Sequence, residues 1–401
     1  MISVEEARKF IDEHHASWGS ERVSLGESLG RVLAEEVRAD RDFPPFDRVT
    51  MDGVAIGYEA YVSGRREFEV SGVQYAGEAA KNISGDDQCL EVMTGAVLGS
   101  SCDMVIRYED VVFHDQDGRR FATISDEQGF RWKNVHRQGS DQKEGEVLLA
   151  PGQVIHAGVL AILATVGRME TYVQKFPKVA IVSTGDELVD VAQIPKAYQI
   201  RKSNVVMMES VLTMKGVSCS MFHLLDDYEI LTKELSHILK SHDVLLLSGG
   251  VSKGKADFLP QVLEELGVEK QFHTVAQRPG KPFWFGIHQK KPVFAFPGNP
   301  ISTMMCFQVY FMPWLSKQLH TYSDTSVAVL TEDVVFKPDL GYFVQVSLQS
   351  HQGRLYAMPQ AGNGSGDLVN LAKSTGFLYL PAGQEVYKKN KEYLVYSFSP
   401  L

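Results

Sequence analysis

Apolar positions along this chain change their period several times, and each change marks a different kind of structure. Over 4–14 they recur every three or four residues, which predicts a short amphipathic helix. The stretch 25–37 reads as a second helix, although Gly26 and Gly30 lie inside it. Phe43-Pro44-Pro45-Phe46 forces extended backbone and ends any helical pattern. From there to about Lys133 the apolar residues fall into short runs broken by glycine, at 54–56, 68–73, 90–93, 104–108 and 111–113. That pattern predicts an all-β, hairpin-rich region. A turn at 145–151 and a short apolar helix over 158–166 follow.

Beyond Lys178 the pattern alternates. Strands are expected at 179–182, 217–225, 244–247, 283–285 and 293–296, and helices at 204–215, 228–239, 258–266 and 300–315. Alternation at this spacing argues for a doubly wound, mainly parallel α/β sheet. From Val327 the chain returns to strands, at 327–330, 342–348, 355–357, 377–380 and 393–396, which reads as a small β-barrel or sandwich. The expected fold class is thus multi-domain α/β plus β. A helical/linker region (1–49 and 134–176) carries an inserted β-rich domain (50–133), followed by the α/β domain (177–316) and a C-terminal barrel (317–401).

Composition narrows the function classes. A chain of 401 residues is too long for one ordinary core, and 44% hydrophobic with 22% charged residues is an ordinary globular profile. A net charge of -10 argues against a nucleic-acid partner. The four cysteines, Cys89, Cys102, Cys219 and Cys306, are far apart, so neither structural zinc nor a disulfide scaffold is expected. No apolar run is long enough for a bilayer and the N-terminus lacks a signal core, so no membrane partner and a reduced, cytoplasmic location are expected.

The candidate chemistry lies in the loops that leave the α/β strands, since such loops line one crevice at the carboxyl edge of the sheet. In order they hold Ser183-Thr184-Gly185-Asp186-Glu187, then Asp226-Asp227, then Ser248-Gly249-Gly250-Val251-Ser252 continuing to Asp257, then Pro297-Gly298-Asn299-Pro300. Glycine lets backbone N–H groups approach an anion closely. The acidic residues Glu187, Asp226, Asp227 and Asp257 could hold Mg²⁺, which takes one or two carboxylates beside phosphate and water. Helix capping is the competing role, for Asp226-Asp227 above all. Asn299-Pro300 reads as an N-cap and first helical position, whose free N–H groups suit an anion or simply start a helix. Arg278-Pro279-Gly280-Lys281 sets two cations around a rigid turn, fit for an oxyanion or for solvent. Gly249 to Ala256 misses the P-loop pattern by one residue; Ala256 lacks the hydroxyl that would hold Mg²⁺. The twelve histidines are scattered without a zinc-binding pair.

Taken together and in order, these motifs resemble the bacterial molybdopterin molybdenumtransferases and the E domain of gephyrin over nearly the whole chain. The resemblance rests on Phe46-Asp47, Met51-Asp52-Gly53-Val54-Ala55, Met93-Thr94-Gly95-Ala96, Arg137-x-Gly139-x-Asp141 and Ser183 to Leu188. It continues through Ser248 to Asp257, Pro279-Gly280-Lys281-Pro282, Pro297-Gly298-Asn299-Pro300-x-Ser302 and Gly362-x-Gly364-Ser365-Gly366. It implies that adenylylated molybdopterin and molybdate enter, molybdenum is inserted into the dithiolene, and AMP leaves. It also implies an elongated homodimer with shared active sites and a dimerising N-terminal region. A molybdopterin adenylyltransferase and apo-molybdoenzymes are the implied partners.

Residue by residue, the resemblance assigns catalysis to Asp52, Thr94, Asp141, Glu187, Asp257 and Lys281, the first three acting from the second subunit. Substrate binding falls to Ser183, Thr184, Gly185, Asp227, Ser248, Gly249, Gly250, Ser252, Arg278, Pro282, Pro297, Gly298, Asn299, Ser302 and Ser365. Mg²⁺ falls to Glu187, Asp226 and Asp257.

Some positions depart from the family pattern. In Phe343-Val344-Gln345-Val346 the uncharged Gln345 stands where an arginine is common, removing one expected oxyanion contact. Tyr342 replaces a basic residue, Val369-Asn370 a serine pair, and Arg278 a lysine. Arg354 is a candidate replacement cation. Two rival functions remain at this level: a molybdopterin adenylyltransferase, which would not need the flanking β domains, and a dimeric scaffold of the same fold.

Overall fold

The structure is a computed structural model that describes residues 1–125, 128–251, 258–321, 325–362 and 364–398. It divides into two compact units: one of 35–151 with 157–171, the other of 1–34, 152–156 and 172–401.

The smaller unit is built on a six-stranded sheet in the order Met104–Arg107, Gly53–Ile56, Gln88–Val92, Glu67–Gln74, Arg119–Ile124, Val111–Gln116. All neighbours are antiparallel except Glu67–Gln74 with Gln88–Val92. The expected β-rich region is present, with one added helix, Tyr58–Val62, but it is not rich in hairpins. Among these neighbours only Val111–Gln116 with Arg119–Ile124 joins consecutive strands in antiparallel fashion; the other pairs are made by strands distant in sequence or, in one case, parallel. The sheet closes on Val54, Ile56, Phe68, Cys89, Met104, Ile106, Ala122 and Ile124, all buried. Gly53 has no room for a side chain, since a Cβ there would lie 1.8 Å from the Ile106 carbonyl oxygen. Two short pairs complete the unit: Val37–Arg38 with Val147–Leu149, and Arg48–Val49 with Val135–His136. The apolar helix is Ala157–Thr165.

The helix expected over 25–37 does not form. Only one turn, Gly26–Ser28, is helical. Gly30 sits at φ +79°, and the backbone N–H groups of Gly30, Leu33 and Ala34 donate to Ile155, Gln153 and Tyr172. Non-local pairing of extended chain thus overrides a spacing that looked helical.

In the larger unit the α/β elements are β1 (Val179–Thr184), α1 (Ser203–Met214), β2 (Cys219–Leu224), α2 (Tyr228–Ser241), β3 (Val244–Ser248), α3 (Leu259–Glu265), β4 (Glu269–His273), β5 (Trp284–His288), β6 (Lys291–Phe296) and α4 (Pro300–Cys306). Their sheet order is β2-β1-β3-β6-β5-β4. The first four strands are parallel, and the last two pairings are antiparallel, so that β5 alone runs against the rest. Val179, Ile181, Val244, Leu246, Phe294 and Phe296 pack on one face with α1 and α4, while Ala180, Val182, Leu245, Leu247 and Ala295 pack on the other with α2 and α3. Burial on both faces explains the unbroken apolar runs. The helix expected over 300–315 is interrupted: α4 passes through a π turn, Phe307–Phe311, into a further helix, Met312–Gln318. Pro313 has no N–H to give to the preceding turn, which accounts for the irregularity.

The C-terminal strands close on themselves. Gly341–His351 pairs with Arg354–Pro359 and with Gly376–Leu380, and Thr325–Leu330 with Glu392–Ser397 joins the other ends. The result is a five-stranded barrel around Ala328, Leu330, Val344, Val346, Leu378, Leu380 and Val395, rather than a sandwich. A short pair, Gln277–Arg278 with Gly341–Tyr342, ties the barrel to the α/β domain. No helix among the described residues is long and apolar enough to cross a membrane.

Candidate functional site

Sheet register builds the crevice. Ser183 lies beside His223 on one side and Ser248 on the other, and Ser248 lies beside Phe296, so the ends of four parallel strands form one row. β5 runs the opposite way with Trp284 opposite Ala295, which brings the segment before it, Lys281-Pro282-Phe283, to the same edge. Ser183, Thr184, Ser248 and Ser302 are buried polar side chains. The glycines after β3 are obligatory. Gly249 and Gly250 adopt φ +100° and +67°, and a Cβ would stand 2.9 Å from the Thr184 carbonyl oxygen or 3.0 Å from its hydroxyl, respectively. The Gly249 N–H is already committed to the Phe296 carbonyl, at 3.2 Å, so it holds the loop rather than facing a ligand.

Asn204, in the first turn of α1, holds three parts of this edge together. Its Nδ2 donates to Ser248 Oγ at 2.9 Å, Gly298 O at 2.8 Å and Thr303 Oγ1 at 3.1 Å. Its own Oδ1 and the Thr184 hydroxyl are buried without a hydrogen-bond partner among the described residues. Orphaned buried polar atoms are costly unless something else satisfies them.

The acidic residues separate by role. Gly185, at φ +135°, lets the Glu187 carboxylate fold over it; a Cβ there would lie 2.6 Å from Glu187 Oε2. Asp186 accepts from the Asp226 N–H at 3.2 Å. Asp227 caps α2, accepting from the Ile230 N–H at 2.9 Å. Ser183 Oγ meets His223 Nδ1 at 3.1 Å. Partial burial, with Lys202 adding to it, holds the His223 imidazole below its ordinary range. Lys202 itself pairs with Asp190. Among the described residues no three carboxylate, histidine or cysteine side chains gather as a metal cage. Ser252 and Asp257 lie outside the described residues.

A cleft of about 540 Å³ opens where the α/β edge meets the barrel, lined by Arg278, Lys281, Pro282, Pro297, Asn299, Ser302 and Ser365 among others. Its cationic turn is braced from behind. Buried Gln277 donates to the Gly280 carbonyl at 2.8 Å and accepts from Tyr310, and Gly280 fits against Cys306 and Met305 of α4. Arg278 and Lys281 are exposed and form no salt bridge with any described residue. Asn299 stands at the N-cap of α4 but does not cap it through its side chain; its Nδ2 donates to Ser365 Oγ at 3.0 Å, and the Ile301 N–H donates to the Ser365 carbonyl at 3.2 Å. The barrel contributes neutral groups, Tyr342, Gln345 and Gln360. Arg354 lies at a hairpin end opposite His351 and does not line the cleft.

The smaller unit holds the other assigned residues. Asp52 Oδ1 accepts from both the N–H and the hydroxyl of Thr94, at 2.6 and 2.7 Å, and these bonds hold its carboxyl below the usual range. Asp141 Oδ1 meets His136 Nε2 at 2.7 Å, and His136 Nδ1 meets Arg48 Nη2 at 3.1 Å. The sequence reading passed over Asn204, His223 and His136. Asn204 and His223 lie inside regular elements with no motif around them, although Asn204 follows the extended pair at Ile200–Arg201. His136 directly precedes Arg137-x-Gly139-x-Asp141 but is not itself part of that pattern.

Three family models match this chain in succession: MoeA N-terminal region (domain I and II) over 2–167, "Probable molybdopterin binding domain" over 180–317, and MoeA C-terminal region (domain IV) over 327–398. The molybdopterin molybdenumtransferase of Synechocystis sp. is 40% identical over 403 residues, covering 99% of this chain and 100% of that protein. That of Staphylococcus epidermidis is 30% identical over 396 residues, covering 96% and 93%. Among solved structures, the molybdopterin biosynthesis moea protein from Pyrococcus horikosii superposes with a TM-score of 0.84 at 30% identity, over 100% of both chains.

Proposed function

This chain belongs to the molybdopterin molybdenumtransferase family, and from that premise we propose how its residues move molybdenum from molybdate onto adenylylated molybdopterin. The observation that carries the reading is the register that gathers the loops at Ser183, Ser248 and Phe296 and the Arg278–Lys281 turn on one edge. Two anions must meet for this reaction, a pyrophosphate-linked pterin and an oxometalate. The edge offers a polar crevice on one side and a cationic cleft on the other.

In this reading the pterin adenylate lies along the strand-end loops, with Ser183, Thr184, Gly185, Ser248, Gly250 and Ser252 as its contacts. Molybdate takes the cleft, held by Arg278 and Lys281 with Ser302, Asn299 and Ser365 around it. Fixing both anions side by side converts a two-substrate encounter into a local one, a contribution that reaches several kcal/mol in favourable cases. Asp227 acts indirectly, by starting α2 in the right place.

Mg²⁺ suits the donor set on this edge. The Thr184 hydroxyl is buried and has no hydrogen-bond partner among the described residues, and the Glu187 carboxylate stands over Gly185. An ion that needs only one or two carboxylates beside phosphate oxygens and water does not require a protein cage. Glu187 would hold it, with Asp226 and Asp257 as the further ligands. When bound, the ion offsets the charge that develops on the phosphate oxygens as the phosphoanhydride breaks. The protein's part is to hold those phosphates against the loops and to exclude other orientations.

Asp52, Thr94 and Asp141 complete the site from a second subunit, so the working form is a homodimer. The reaction belongs to the cytoplasm, where a molybdopterin adenylyltransferase would supply the substrate and apo-molybdoenzymes would accept the product. Product analysis tests the reading. AMP released in the presence of molybdate supports it, whereas pyrophosphate released from ATP would mark an adenylyltransferase instead.

A further inference from the structure

We propose that His136 is a positioning residue that orients the Asp141 carboxylate through a fixed tautomer, with Arg48 setting that tautomer. The inference rests on the reading of Asp141 as part of the transfer site.

The three residues form a chain across one strand pair. Val135–His136 runs antiparallel to Arg48–Val49, with His136 directly opposite Arg48. Arg48 Nη2 lies 3.1 Å from His136 Nδ1. A guanidinium is always charged and has only donors to offer, so Nδ1 must be the accepting nitrogen. The ring proton of the neutral imidazole is then on Nε2, which lies 2.7 Å from Asp141 Oδ1 and donates to it. The Ser140 hydroxyl adds a weaker donor to the same oxygen, at 3.4 Å. Asp141 Oδ2 keeps no hydrogen-bond partner among the described residues and remains open to a ligand.

The consequence is a carboxylate whose rotation is restricted although it stands in solvent. The Asp141 side chain is 58% exposed and that of His136 31%. An exposed aspartate without such a bond would sample several orientations. The backbone already fixes the turn, since the Gly139 N–H donates to Pro44 and the Asp141 N–H to Phe43. His136 is thus not needed to hold the loop; its contribution is to aim one oxygen.

Steady-state AMP release by the purified full-length chain, with molybdate and adenylylated molybdopterin, tests this. His136→Phe keeps a ring and loses the donor; it is expected to lower kcat by about ten- to a hundred-fold, with KM nearly unchanged and thermal stability retained. His136→Gln places an amide N–H near the Nε2 position and is expected to recover most of that loss. Wild-type kcat in His136→Phe would overturn the proposal, as would a His136→Gln enzyme no better than His136→Phe. Asp141→Asn separates the two layers. If it is as active as wild type, the role of Asp141 itself falls; if it is inactive while His136→Phe is normal, only the positioning role falls.

Discussion

Thr94 closes on Asp52 twice, giving both its backbone N–H and its hydroxyl to the same carboxylate oxygen at 2.6 and 2.7 Å. The backbone bond is the larger cause of the lowered carboxyl pKa and the hydroxyl the second. Stabilisation from a depressed carboxylate is present above its unfolded value and is lost as pH falls through the folded one. Asp52 therefore stays ionised through the neutral range and below its ordinary value of 3.8.

Thr94→Val deletes the hydroxyl bond and leaves the backbone bond. The Asp52 carboxyl should then titrate at a higher pH than in the wild type, while remaining below its ordinary value. Carbon-detected NMR of the side-chain carboxyl, followed through an acid titration, reads this directly. An unchanged midpoint would mean that the hydroxyl contributes nothing.

Asn204→Leu removes one amide that ties α1 to Ser248, Gly298 and Thr303, and leaves their polar atoms short of a donor. A loss of about 1–3 kcal/mol in unfolding free energy is expected. AMP release should fall further than that loss explains, because two loops of the crevice come free together. Urea denaturation and turnover on the same preparation provide the comparison.

Arg278→Met and Lys281→Met remove cations that have no salt bridge among the described residues. Stability should stay within about 0.5 kcal/mol of wild type, as for other surface changes of this kind. The KM for molybdate should rise by about tenfold or more in each, since one charge-assisted contact is lost. Equal KM values would place molybdate elsewhere.

Gln345→Arg is expected to act in the opposite direction. Gln345 lines the cleft on the barrel side, where the described lining residues are neutral. A guanidinium there should lower the KM for molybdate by several-fold, more so at low salt.

Much of this was legible in the chain. Parallel strands leave their following loops at one edge, so an alternation of apolar runs and glycine-rich turns already implied that Ser183, Ser248 and Pro297 would be neighbours. The barrel followed from regularly spaced short strands, although barrel and sandwich share that signal and only the closed ring of pairings, in which each of the five strands has two neighbours, separates them. The false helix over 25–37 shows the limit. Its spacing of leucine and valine was compatible with a helix, but Gly30, Leu33 and Ala34 find their hydrogen bonds in residues more than a hundred positions away. Asn204 and His136 were invisible for the same reason, because what each side chain does depends on partners that the chain brings close only after folding.

The central claim is that this chain couples molybdenum insertion to cleavage of the adenylate. The most direct measurement incubates the purified protein with adenylylated molybdopterin, Mg²⁺ and a series of molybdate concentrations. AMP and active molybdenum cofactor are quantified in the same samples. The account predicts that both appear only with molybdate and rise together. AMP release that ignores molybdate, or cofactor that fails to form at any molybdate concentration, would contradict it.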